Sequence, residues 1–240
     1  MLTRRLYFPS SGAAAFTPAF DSAWYDTAGA DRVAAVWDTP SGTAFTARSV
    51  SGPALPGWPG FSFGEKILVR QYVSPAFSDT TTVIGGSGTG VFRAGGTSTG
   101  GGGGGYAPRE YSCLVGVRLF SATGTLKGTL SPPMIVTAGL SAFATLPALV
   151  RRKWNVFGSP GPGLAVAVGD RLVVELGYVI VQSDATAITS YSGSMEFGDA
   201  SASNLTYGDA AVDDGQKNPW ALFTFSGGTM AGGFTGAQIL

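Results

Sequence analysis

The chain contains no histidine. That removes the Ser-His-Asp and Cys-His ways of activating a nucleophile, the usual zinc ligand sets and the commonest general base at neutral pH. Cys113 is the single cysteine, which excludes an intramolecular disulfide and a thiolate metal site. Charge is scarce as well. Asp, Glu, Lys and Arg make up 12% of residues, about half the usual share, and 15 basic side chains balance 15 acidic ones. A nucleic-acid partner calls for a basic excess that neutralises phosphates, so none is expected. Long apolar runs are missing too. No stretch approaches the ~18 residues of a spanning helix, and membrane insertion is not expected. "MLTRRLYFPS" has two arginines but no apolar run behind them, which does not read as a signal peptide.

What is abundant is glycine, at 37 of 240 residues, with 14 prolines and recurring short apolar runs. That pattern is the mark of many short strands joined by turns. In "RLVVELGYVIVQ", 171–182, Leu172, Val174, Leu176, Tyr178 and Ile180 share one face by period-two alternation. Arg171, Val173, Glu175, Gly177, Val179 and Val181 share the other. "YSCLVGVRLF", 111–120, puts Cys113, Val115, Val117 and Leu119 together, which makes Cys113 a small buried hydrophobe. "GEKILVRQYV", 64–73, reads with Ile67, Val69 and Val73 on one face. "PWALFTFS" is a late aromatic strand, and "RRLYF", "DRVAAVW", "TTTVI", "PMIVT" and "LVRRKWNVF" are weaker candidates. About nine strands predict an all-β sandwich or barrel.

"PAFDSAWYD", 18–26, suggests one or two helical turns capped by Asp21, its aromatics plugging the core. Residues 85–110 hold six consecutive glycines, 100–105, and read as a long flexible loop within one domain. No lysine follows at phosphate-loop spacing, so nucleotide binding is not expected. The apolar end of 227–240 reads as a tail that docks on a neighbouring subunit.

Acidic residues gather in "MEFGDASASNLTYGDAAVDDG". Calcium takes six to eight oxygens, and Asp199, Asp209, Asp213 and Asp214 are the candidates to supply them once folded. EF-hand spacing is absent. The favoured reading is that these side chains make turns, with "FGDASASNL" forming a strand end, a turn and a capped helical turn. No cofactor is expected. A glycosidase needs two carboxyl groups, and the Glu residues are Glu65, Glu110, Glu175 and Glu196. With Arg70 and Arg118 also mid-strand, Glu175 reads as half of a cross-strand ion pair. Candidate sugar-stacking aromatics are Trp58 in "PGWPGF", Tyr106 after the glycines, and Tyr207.

Several landmarks carry a resemblance. "RLYFPSSGAAAFTPAFDSAWYDT", "LVRQYVSPAF", "VGVRLFSATGTLKGTL", "GDRLVVELGY", "FGDASASNL" and "NPWALFTFS" follow in this order from about residue 5 to residue 226. Together they resemble a family of jelly-roll virion structural proteins of tailed bacteriophages. The glycine-rich loop is expanded here. The family has no assigned functional residues to carry over.

The resemblance implies a single jelly-roll-like antiparallel sandwich over 1–226. It implies a non-enzymatic structural role on the virion exterior, as capsid decoration or as a tail component. The partners are then other virion proteins and further copies of the chain, after synthesis in the host cytoplasm. The alternatives are a carbohydrate-binding module for attachment to host-surface glycans and, more remotely, a virion-associated glycosidase.

Overall fold

The structure, a computed structural model, describes residues 1–54, 62–63, 65–83, 88–100, 109–135, 146–155, 163–182, 188–208 and 215–226. Among them are fifteen β-strands and no helix. The first sheet runs β12 (Leu164–Val166), β7 (Thr81–Val83), β15 (Trp220–Ser226), β8 (Thr89–Gly100), β14 (Ile188–Phe197), β4 (Thr46–Gly52). β1 (Leu2–Tyr7) joins it on β15, β3 (Val36–Trp37) on β1, and β11 (Leu146–Asn155) on β8. The second sheet runs β10 (Leu126–Ile135), β9 (Arg109–Phe120), β13 (Arg171–Gln182), β6 (Ile67–Val73), β2 (Asp31–Ala34), with β5 (Ser62–Phe63) on β13. Pairing is antiparallel except between β2 and β6. Along the chain the long strands alternate between sheets: β4 in the first, β6 in the second, β8 back, β9 and β10 across, β11 back, β13 across, then β14 and β15. This is a jelly-roll-like sandwich.

The core lies between the sheets. β13 sends in Leu172, Val174, Leu176 and Tyr178, and β9 sends in Cys113, Val115, Val117 and Leu119, as their alternation predicts. Phe92, Trp154, Met195, Phe197, Phe223 and Phe225 meet them from the first sheet. Each such side chain taken fully out of water contributes about 1.5–3 kcal/mol.

The far side of the second sheet is covered as well. The segment between β1 and β2 lays Trp24 against Leu68, Leu114 and Val179, with Phe20 and Ala30 beside them. Ala14 and Phe16 cover Val73, Phe120 and Val173. β6 is consequently buried at all seven positions. On the far side of the first sheet, Leu205 packs with Tyr7, Val91 and Trp220.

Four local expectations change. β6 does not alternate throughout, because its register with β13 shifts between Leu176 and Gly177. The bulge inserts one residue, so Ile67 and Val69 face the core while Val73 faces the cover. Residues 89–100 of the expected 85–110 loop form β8, which pairs with β11, β14 and β15. Residues 18–26 form a turn and no helix: Asp21 Oδ1 accepts from Ala23 N at 2.9 Å, and Asp21 O accepts from Trp24 N at 3.1 Å. "FGDASASNL" holds no helical turn either, since Ser201 N donates to the Asn218 side chain at 2.9 Å and straps the segment to residue 218. The glycines at 101–105 and the tail at 227–240 lie outside the described residues.

Candidate functional site

Glu175 sits mid-way along β13, on the side facing the cover, and is 0% exposed. Its neighbours come from three directions. Gln71 is its register partner on β6 and donates Nε2 to Oε1 at 2.8 Å. Arg118 on β9 donates Nη2 to Oε1 at 2.5 Å. From the cover, Trp24 donates its indole N–H to Oε2 at 2.8 Å and Asp21 its backbone N–H to Oε1 at 3.2 Å.

The sequence places each group by simple rules. Alternation on β13 puts Glu175 and Gly177 on the same face. Gly177 lets Trp24 lie against the strand, for a Cβ there would come within 2.5 Å of the indole ring. The β6 bulge turns Gln71 to this side. Arg118 also donates to Ala19 O at 2.7 Å, and its Nε lies 3.6 Å from Asp21 Oδ2. The result is a buried ion pair whose carboxylate oxygens are taken up by fixed partners, while the buried Arg118 Nε makes no hydrogen bond. A general acid or base must reach the reacting atoms, and Glu175 is sealed from them by Trp24.

The expected cross-strand pair is thus Arg118 with Glu175. Arg70 belongs to a different one. The bulge turns it toward the interior, where its guanidinium grips Asp31 on β2 through two hydrogen bonds of 2.7 Å and lies 4.6 Å from the Phe197 ring. Burial alone lowers the Arg70 pKa, but the hydrogen bonds with Asp31 and Tyr72 and the charge of Asp31 more than reverse this and leave it raised. Tyr72 beside it is fully buried, which raises its phenol pKa well above the ordinary value. Its hydroxyl donates to Pro9 O at 2.6 Å.

Among the calcium candidates, Asp199 is 1% exposed and serves as a loop latch. It accepts from Ser41 N at 2.6 Å, Thr43 N at 2.7 Å, Thr43 Oγ1 at 2.8 Å and Ser41 Oγ at 3.0 Å. Asp209, Asp213 and Asp214 lie outside the described residues. Among the described residues, no three His, Cys, Asp or Glu side chains come together as a metal ion requires. Glu196 pairs with Arg93 on the outer side of the first sheet, both buried. Glu65 is half-buried just before β6, and the side chain of Glu110 lies outside the described residues.

Among the sugar-stacking candidates, Tyr207 is 42% exposed. Its ring centre stands 6.2 Å from that of Trp220, whose indole N–H donates to Leu205 O at 2.7 Å and whose ring also carries the Arg5 guanidinium at 4.8 Å. The exposed ring therefore rests on a fixed support. Trp58 and Tyr106 lie outside the described residues. Cys113 is buried, as expected of a small hydrophobe.

No family model matches this chain, and no curated protein does. Among solved structures it is similar to an α-amino acid ester hydrolase labelled with selenomethionine, at 10% identity and a TM-score of 0.30, over 92% of this chain and 36% of that one. It is also similar to a CocE/NonD family hydrolase from Staphylococcus aureus, at 9% identity and a TM-score of 0.19, over 75% of this chain and 35% of that one. The chain spans about a third of the length of these hydrolases. At such scores neither their fold nor their activity carries over.

Proposed function

We propose that the chain is a non-enzymatic structural protein of a tailed-bacteriophage particle. It is assembled on the virion exterior, as capsid decoration or as a tail component, with other virion proteins and copies of itself as partners. The observation that carries the reading is the use made of Glu175, the carboxylate best placed on a strand for chemistry. It is wholly buried and spends its hydrogen bonds on fastening one layer of the sandwich to the next. Near-zero net charge and the landmark order agree with a building block. Mass spectrometry of purified particles tests the reading; particles that lack the chain overturn it. A hydrolysis assay on cell-wall polysaccharide tests the enzyme alternative, and activity lost in Glu175→Gln would establish it.

A second reading has one observation in its favour. Tyr207 presents an exposed ring on a rigid backing, the geometry of a sugar-stacking platform. Glycan-array binding that disappears in Tyr207→Ala supports a host-attachment role. An array without binding removes it.

A further inference from the structure

Arg5 and Tyr207 rest against one indole. On β1, alternation sends Arg5 and Tyr7 to the outer side of the first sheet, and Tyr7 pairs in register with Trp220 on β15. The Arg5 guanidinium lies 4.8 Å from the centre of the Trp220 ring, and the centre of the Tyr207 ring lies 6.2 Å from it. The two groups are therefore no farther apart than these distances together, a span within one disaccharide. Trp220 itself is buried and acts as the shared backing. The segment leading to Tyr207 is fixed beside it: Leu205 N donates to Asn218 O at 3.0 Å, and Leu205 O accepts the indole N–H.

The charge of Arg5 is not spent inside the fold. Among the described residues no carboxylate pairs with its guanidinium, whereas Arg4 beside it is paired with Asp38 at 2.7 Å. Nη1 makes one long bond, to the Tyr7 hydroxyl at 3.4 Å, and the buried Nε makes none. Nη2 has no partner among the described residues either, and unlike Nε it is not buried. A guanidinium stacked on an aromatic face is held in place and still offers its planar donor edge to a carboxylate. An exposed aromatic ring on a rigid backing offers the apolar face that a sugar ring covers. Neither group has to be ordered on binding, so little conformational freedom is lost. One positive charge, on a chain with no net charge, matches a single carboxylate and does not suit a polyanion.

We propose that this outer face binds an acidic saccharide, a glycan whose uronic or sialic acid unit places its carboxylate on Arg5 while a sugar ring stacks on Tyr207. The proposal rests on the host-attachment reading above and names the class of glycan. A glycan array that sets uronate- and sialate-bearing saccharides beside their neutral counterparts tests it, followed by titration calorimetry of the strongest pair. The acidic member is expected to bind about tenfold more tightly, the scale of one charge-assisted contact. That advantage should fade in about 1 M salt, where the screening length is ~3 Å. Arg5→Gln is expected to abolish the difference between acidic and neutral members, and Arg5→Lys to restore part of it, since the charge returns without the fork. Tyr207→Ala is expected to weaken both members. Tyr25→Ser, in the cover of the second sheet, is the control and keeps the full preference. A preference for uronate or for sialate supports the proposal and identifies the acid. Equal affinity for acidic and neutral members, or a preference that survives Arg5→Gln, overturns it. Equal affinity that is lost in Tyr207→Ala leaves the attachment reading in place, whereas an array without binding removes both.

Discussion

Trp24 donates its indole N–H to Glu175 at 2.8 Å across 151 residues of chain, and this bond joins the cover to the middle of the second sheet. Removing the carboxylate strands the buried guanidinium of Arg118. Glu175→Ala is therefore expected to destabilise the fold by about 3–5 kcal/mol, the cost of breaking one side of a buried pair. Glu175→Gln keeps the shape and is expected to cost less. Urea unfolding followed by tryptophan emission separates the two. Equal stability of Glu175→Ala and the parent chain would show that the cover is not held here.

Gly177 gives the indole its resting place. Gly177→Ala places a methyl group within 2.5 Å of the Trp24 ring and 2.1 Å of the Ile67 carbonyl oxygen. A loss of about 1–3 kcal/mol is expected from overpacking. The mark of this mechanism is local, so hydrogen exchange should speed up first at Tyr25 N and Leu68 N, which bond to Lys66 O and Asp26 O. Uniform acceleration across both sheets would contradict it.

Asp199 holds the 41–43 loop through the amides and hydroxyls of Ser41 and Thr43. Asp199→Ala leaves those donors without their acceptor, and a loss of about 2 kcal/mol is expected. Asp199→Asn retains part of the latch and should fall between. Because the latch occupies the carboxylate, calcium is expected to leave the melting temperature unchanged. A calcium-dependent rise that vanishes in Asp199→Ala would reopen the metal reading.

Tyr72 sets an alkaline limit. Its folded-state phenol pKa lies above the ordinary value near 10, mainly because burial disfavours the phenolate. The stability linked to the neutral phenol is fully present below pH ~10 and is lost as pH rises through the folded-state value. Stability should therefore begin to decline above pH ~10, as phenolate becomes available to the unfolded chain alone. Tyr72→Phe should flatten that decline, after a loss of about 1 kcal/mol at neutral pH for the bond to Pro9 O. Unfolding at graded alkaline pH, with phenolate absorbance as a second readout, checks both parts.

The sandwich was legible wherever large apolar residues alternate, as in β9 and β13. β4, β8 and β14 were not, because "TARSVSG", "TGVFRAGGTSTG" and "ITSYSGSMEF" are rich in serine, threonine and glycine, which read as loop. Part of that composition answers to packing: Gly193 leaves room for the Tyr178 ring, which a Cβ would approach within 2.3 Å. The β6 bulge had no local signature, so Val73 was assigned to the wrong face. Glu175 stood out as a lone acid in an apolar strand. Its partner Arg118 was within reach of cross-strand reasoning, but Trp24 and Gln71 lie 151 and 104 residues away, and only the folded chain brings them in.

The pairing of β1 with β15 has a consequence for biosynthesis. The first of the described strands finds its partner in the last of them, from Leu2 opposite Phe225 to Tyr7 opposite Trp220. The cover likewise waits for Glu175. At ribosomal rates of about 5–20 residues per second, the N-terminal region emerges roughly 10–45 s before the strand that completes it. Through that interval β1 has only its short pairing with β3, Leu6 opposite Trp37 and Tyr7 opposite Val36, and the rest of its native partner is still to be made.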